Sequence, residues 1–205
     1  MSKSIKTIVL LLMVFIGTLS SYALTAQEIL NKASAKINGA SSVKADFNMT
    51  INGQRCKGTL AAKGNKFSII SSVGSSWYDG KDLWSYSPSS GETTVMKPSA
   101  GELMETNPLM YAKGASNYVA TLSKTKVSGK ETIVLVPKSK GTGIKSVTLT
   151  LNSKTYLPEK VVVAPSSGNN ITISISNLKL NASVKDSDFS YPKAKYSKAK
   201  IIDLR

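Results

Sequence analysis

From residue 43 the chain alternates. Val43, Ala45, Phe47, Met49 and Ile51 are apolar, and Lys44, Asp46, Asn48 and Thr50 between them are polar. A period of two sends successive side chains to opposite faces, so Val43–Ile51 is expected to be a half-buried strand. Asn52-Gly53 turns the chain into 55–63, where Cys56, Leu60 and Ala62 share a face. Gly64-Asn65 turns it again into 66–73. The stretch 77–88 reads W-Y-D-G-K-D-L-W-S-Y-S-P, two aromatic runs around a turn at 79–82. Trp84 and Tyr86 share one face there, and Leu83, Ser85 and Ser87 the other. Large rings aligned on one face call for an apolar core or a ligand. A strand over 92–97 follows, giving a meander of neighbouring antiparallel strands.

Ahead of the strands the period changes. Thr25-Ala26-Gln27-Glu28 fits a capping box, and Ile29, Leu30, Ala33 and Ile37 recur at helical spacing. An amphipathic helix over Ala26–Asn38 is expected, ended by Gly39. The alternation fails again at Pro98. Over 99–115, Leu103, Met104, Leu109, Met110 and Tyr111 are apolar without strand spacing. Two short helical turns fit, with Asn107 as a cap and Pro108 in the first turn. The methionines suit either gap-filling or an adaptable binding surface.

Strands resume at 118–126, 132–136, 145–151, 157–164 and 171–178. In the last, Ile171, Ile173 and Ile175 alternate with Thr172, Ser174 and Ser176. Phe189 and Tyr191 read as a final strand or extended tail, and 193–200 as a basic, mobile tail. About ten or eleven short one-sided strands favour a barrel or sandwich. A barrel of this size can hold a cavity, and the helical pieces would then lie over its mouth as a lid.

The first residues are a separate matter. Lys3 and Lys6 precede an apolar run over 8–19, and Ser21-Tyr22-Ala23 supplies small residues. This is the pattern of a secretory signal peptide over 1–23, cleaved after Ala23, with Ala26 as the alternative, leaving one mature domain over 24–205. No cysteine stands at the cleavage point, and no later stretch is apolar enough to span a bilayer, so a soluble, secreted monomer that is not itself a lipoprotein is expected.

Composition narrows the chemistry. Cys56 is the only cysteine, so no internal disulfide is expected and a buried thiol is. No histidine is present, which excludes histidine-based triads and general bases, and no G-x-S-x-G elbow occurs. The twelve acids are scattered, and Asp186 and Asp188 read as solvated turn residues. A Ser/Lys pair or carboxylates could still serve an enzyme such as a lipid hydrolase, but the chain is read as a non-enzyme without cofactor or metal. Its formal charge is +15, of which Lys3 and Lys6 leave with the signal. Arg55 and Arg205 are the only arginines, and lysine lacks the planar fork of base recognition, so nucleic acid is discounted in favour of anionic lipid or an acidic partner.

Four segments in order resemble the LolA-like periplasmic lipoprotein carrier family: A-D-F at 45–47, D-G-K-D-L-W-S-Y-S-P at 79–88, N-P-L-M at 107–110 and I-V-L-V-P-K at 133–138. The resemblance runs from residue 26 to about 202. It implies a half-open antiparallel β-barrel with an N-terminal helix and a short helical lid, a carrier that holds the acyl chains of lipoproteins in an apolar cavity and moves them toward the outer membrane. An inner-membrane donor transporter and an outer-membrane acceptor are its implied partners, with acylated lipoproteins or lipids as ligands. A lipid-sensing or glycolipid-binding envelope protein on the same scaffold is the alternative. Together with the alternation, the resemblance implies that Phe47, Met49, Leu60, Phe67 and Ile69 face the acyl cavity, with Trp84, Tyr86 and Met96. Leu103, Met104, Leu109 and Met110 would belong to the lid. One departure stands out. The family often carries Arg-Pro at the turn before the third strand, tied to holding and handing on cargo; here the turn reads A-A-K-G-N-K-F, and Lys63 or Lys66 would have to substitute.

Overall fold

The computed structural model describes residues 23–139, 141 and 143–205, so the expected signal peptide and its cleavage site lie almost wholly outside the described residues. Helix α1 (Ala26–Asn38) starts at the expected box: the Thr25 hydroxyl accepts from the Glu28 amide, and the Glu28 carboxylate accepts from the Thr25 amide at 2.7 Å. Its buried stripe is Ala26, Ile29, Leu30, Ala33 and Ile37.

Twelve strands form one sheet among the described residues. The first six run β1 (Val43–Ile51), β2 (Gln54–Lys63), β3 (Lys66–Ser71), β4 (Ser75–Tyr78), β5 (Leu83–Ser87) and β6 (Glu92–Met96). Helices α2 (Ala100–Thr106) and α3 (Met110–Lys113) follow, then a 3-10 turn at Ala115–Asn117. The second run is β7 (Tyr118–Leu122), β8 (Lys130–Pro137), β9 (Ile144–Asn152), β10 (Pro158–Pro165), β11 (Ile171–Leu180) and β12 (Lys200–Asp203). Each run is a meander, and β1 joins them by pairing β2 on one side and β11 on the other, Phe47 opposite Gly58 and Ile175. That long-range pairing places β6 and β7 near opposite edges of the sheet, which do not meet. The chain bridges them through α2 and α3, so the lid spans the gap of a barrel that stays half open. Helix α1 supports this span: Ser34 Oγ donates to the Lys113 carbonyl at 2.9 Å. The core between helices and sheet includes Leu30, Phe67, Leu135, Leu149 and Val161, and Cys56 is buried in it as a free thiol.

Two strands end well short of the expected boundaries, and the C-terminal segment differs from its expected form. Strand β3 stops at Ser71, because the Ser71 amide and hydroxyl both bond the Gly74 carbonyl and fold 71–74 into a tight turn. Strand β7 stops at Leu122, beyond which Thr125 bonds back to Ser123 Oγ at 3.2 Å. The basic tail is built of hydrogen-bonded turns, the Tyr196 amide donating to the Lys193 carbonyl and the Ala199 amide to the Tyr196 carbonyl, and it runs on into a strand. A 3-10 turn at Asp186–Phe189 buries Phe189 completely, and β12 adds to β6 in parallel, the one parallel pairing among the described strands. Two apolar residues in four gave β12 too weak a pattern to stand out; β6 supplies its hydrogen bonds.

Acid should loosen this C-terminal strap. Hydrogen bonds from Arg205 hold the Asp203 carboxyl down at about 2, and the Lys63 ammonium lowers Asp186. A depressed folded pKa contributes stability that is present above the unfolded value near 4 and lost as pH falls through the folded one. Tryptophan emission, which reports on the strap's contact with Trp84, is expected to stay constant from pH 7 to about 4.5 and to shift between about pH 4 and 2.

Candidate functional site

An apolar cavity of about 490 Å³ lies between the sheet and the lid. Phe47 and Met49 on β1 form its floor with Ile171 and Ile173 on the adjoining β11. Ile69 on β3 and Val163 on β10 close its flanks. Thr106, Pro108 and Tyr111 roof it, and Glu105 stands with them at the lid. The lid takes this shape for local reasons. Ser99 and Glu102 make a capping box that starts α2, and the Asn107 side chain accepts from the Leu109 amide at 3.0 Å, the expected cap. Burial pushes the Tyr111 hydroxyl well above the usual phenol range, with smaller pushes from Tyr118 and Glu105; burial lifts Tyr118 to about 12. Both phenols stay protonated and neutral, as an apolar chamber requires.

The expected lining residues divide. Phe47, Met49 and Ile69 line the cavity. Leu60, Phe67 and Leu109 are packed into the core beneath it, 4%, 2% and 1% exposed. Met96 and Leu103 are half-buried against that core. Met104 lines a smaller space of about 270 Å³ beside Tyr118, whose hydroxyl lies 3.9 Å from its sulfur. Met110 is half-buried and lines neither space.

Trp84 and Tyr86 are on the opposite face of the sheet, and their placement in the cavity is corrected. Leu83 lies opposite Tyr78 and Met96 and points inward; Trp84, one residue on, lies opposite Trp77 and Val95 and points outward. There the C-terminal segment covers it. Tyr191 stacks on Trp84 with centroids 4.9 Å apart, and Tyr196 meets Tyr86 at 4.3 Å. The Arg205 guanidinium lies over the Trp84 ring at 5.9 Å and donates to Asp82 at 2.9 Å. The aromatic hairpin is thus a second, outer core rather than a ligand face.

The lysines of the β2–β3 turn are corrected as well. Lys63 bonds Asp186 at 3.0 Å, and the charge of Lys66 acts on the same carboxylate, so both serve the C-terminal segment. Lid and turn are tied in the reverse sense: Lys113 of α3 donates its ammonium to the Gly64 carbonyl at 2.9 Å. Partial burial lowers the Lys113 pKa, so the contact holds a partly desolvated charge. Lys113→Met should release a bound fluorescent acyl probe about two- to fivefold faster in stopped-flow displacement, with melting temperature little changed, as expected for one half-exposed charged hydrogen bond.

Ile171, Ile173, Val163, Glu105, Thr106, Pro108 and Tyr111 are among the lining residues beyond the expected set. The alternation of Ile171 and Ile173 marks them as facing one way, but their place beside Phe47 and Met49 depends on the β1–β11 pairing. Among the described residues no three His, Cys, Asp or Glu side chains gather as a metal site, and no helix is long and apolar enough to cross a membrane.

An incomplete barrel with an apolar chamber under a helical lid is the architecture that the described residues define. Residues 16–165 match the family described as outer membrane lipoprotein carrier protein LolA, and the chain belongs to that family. Among solved structures, an uncharacterized conserved protein from Thermus thermophilus is similar at 13% identity and a TM-score of 0.59, over 87% of this chain and 98% of its own. A putative outer membrane lipoprotein-sorting protein domain from Vibrio parahaemolyticus aligns over 83% of this chain and 97% of its own, at 15% identity and a TM-score of 0.48. A LolA superfamily protein from Nitrosomonas europaea aligns over 82% and 99%, at 15% identity and 0.46. No curated protein matches the chain.

Proposed function

We propose that this protein is a periplasmic carrier that takes the acyl chains of lipoproteins into its cavity and delivers them toward the outer membrane. The observation that carries the reading is the chamber of about 490 Å³ walled by Phe47, Met49, Ile69, Val163, Ile171 and Ile173 beneath a lid hung across an open sheet. Burying a methylene is worth about 0.8 kcal/mol, so roughly ten methylenes contribute about 8 kcal/mol before ordering costs. That range suits reversible loading. Family membership supports the carrier role, and a donor in the inner membrane and an acceptor in the outer membrane belong to the same proposal, as does removal of the N-terminal signal. No catalytic group is required.

A lipid-sensing or glycolipid-binding envelope protein is the second reading. The observation in its favour is the turn before β3, where the family's arginine is absent and Lys63 is committed to Asp186. Displacement of N-phenyl-1-naphthylamine from the purified protein tests carriage directly. A palmitoylated peptide should displace the probe at micromolar concentration and the unacylated peptide should not. Equal failure of both peptides contradicts acyl binding.

A further inference from the structure

Glu105 is out of keeping with everything around it. It is the only charged side chain among the described residues that line the cavity, in a chain of net charge +15. Every other acid except Glu131 is engaged among the described residues. Glu28, Glu102 and Asp188 serve caps. Asp79 closes its turn and Asp46 bonds Asn177. Asp82, Glu92, Glu159, Asp186 and Asp203 make ion pairs. Among the described residues Glu105 makes neither hydrogen bond nor ion pair, and it is exposed to solvent.

Helix stability does not account for it. Glu105 sits in the last turn of α2, which carries no basic residue, and a carboxylate beside the free carbonyls of a helix end is disfavoured. Packing does not account for it either. Across the rim stands Gly143, held at φ +68, where a Cβ would lie 3.8 Å from Glu105 Oε1. A glycine there leaves the space beside the carboxylate open. Thr106, next in the chain, turns its hydroxyl proton to the Glu102 carbonyl at 2.7 Å, so its oxygen adds a further acceptor beside the cavity. The edge of an apolar chamber therefore carries a patch of acceptors with no cation of its own among the described residues.

Resting on the carriage reading, we infer that Glu105 selects ligands whose acyl chains hang from a headgroup bearing a primary ammonium, the chains entering the cavity and the ammonium bonding Glu105. Two sources share this chemistry: the free α-amino group of a lipid-modified N-terminal cysteine, and the ethanolamine of a phospholipid.

The test is displacement of N-phenyl-1-naphthylamine by matched pairs. One pair is a diacylglyceryl-cysteine peptide with a free α-amine and the same peptide N-acetylated; the other is lysophosphatidylethanolamine and its N-acetyl form. The free-amine member should bind about three- to tenfold tighter in the pair that represents the true source, the range of a charge-assisted bond at a solvated rim. Glu105→Gln should erase that preference, bringing the two members of the pair to equal affinity, and Glu105→Lys should reverse it. A preference confined to the peptide pair assigns the lipoprotein N-terminus, and one confined to the lipid pair assigns the phospholipid. Equal binding of both members in both pairs, or a preference that survives Glu105→Gln, overturns the inference and leaves carriage standing. Failure of all four to displace the probe overturns carriage itself.

Discussion

Gly58→Ala is expected to lower the unfolding free energy by about 1–3 kcal/mol, the usual range for an overpacked site. Gly58 lies directly opposite Phe47 in the β1–β2 register, and the Phe47 ring lies across it. A Cβ there would be 2.3 Å from Phe47 Cζ and 2.5 Å from the Ile70 carbonyl oxygen. The ring can swing, but the carbonyl belongs to the backbone of β3 and moves only with the strand. The better strand propensity of alanine, worth about 0.5–1 kcal/mol, offsets part of the loss. Function should suffer alongside stability, because a displaced Phe47 ring moves into the cavity that it floors. Urea denaturation reads the first effect and acyl-probe titration the second. A variant as stable as the parent would show that β2 and β3 separate more easily than their continuous pairing implies.

Ile171→Asp is expected to weaken binding of a palmitoylated peptide by at least about 100-fold while leaving the fold intact. Ile171 is half-buried, opposite Val163 on β10, and both line the cavity. In the empty protein a carboxylate at that position keeps contact with water, so the cost to folding is small. A bound chain removes that water. The variant then loses the apolar contact of the isoleucine, about 2–3 kcal/mol, and strips solvent from an unpaired charge. Met110→Ser is the control, since Met110 lines neither cavity; its affinity should stay within about twofold of the parent. Isothermal titration of both variants measures the contrast. Equal losses would return Met110 to the site, and no loss at Ile171 would place the ligand elsewhere.

Local information in the sequence reached a long way. The capping box at Thr25, the stripe of α1 and most strand spans follow from spacing alone, because these patterns record which side of each element is dry. Parity within a strand was equally legible: Trp84 and Tyr86 do share a face. Which face was not, because this protein has two apolar sides over β4–β6, an inner one with Leu83 and Met96 and an outer one under Tyr191 and Tyr196. Nothing in a period of two tells an inner core from an outer one. The site was half legible for a related reason. Phe47, Met49 and Ile69 belong to clear alternating strands, whereas Ile171 and Ile173 enter through a pairing between segments more than a hundred residues apart. The lid was least legible. Its apolar residues stood out, yet Leu109 is core, Met110 is peripheral, and the cavity is roofed in part by Thr106, Pro108 and Glu105. The turn before β3 illustrates the same limit: its lysines were the visible substitutes for the family arginine, and the structure ties this turn to the lid from Lys113 instead.

Native mass spectrometry of the protein purified gently from the periplasm tests the central claim most directly. The account predicts a one-to-one complex with an acyl-bearing molecule, an acylated protein above all, which dissociates when Ile171→Asp is introduced. A protein that emerges without any acyl-bearing partner, and takes up no palmitoylated peptide when one is supplied, would contradict it.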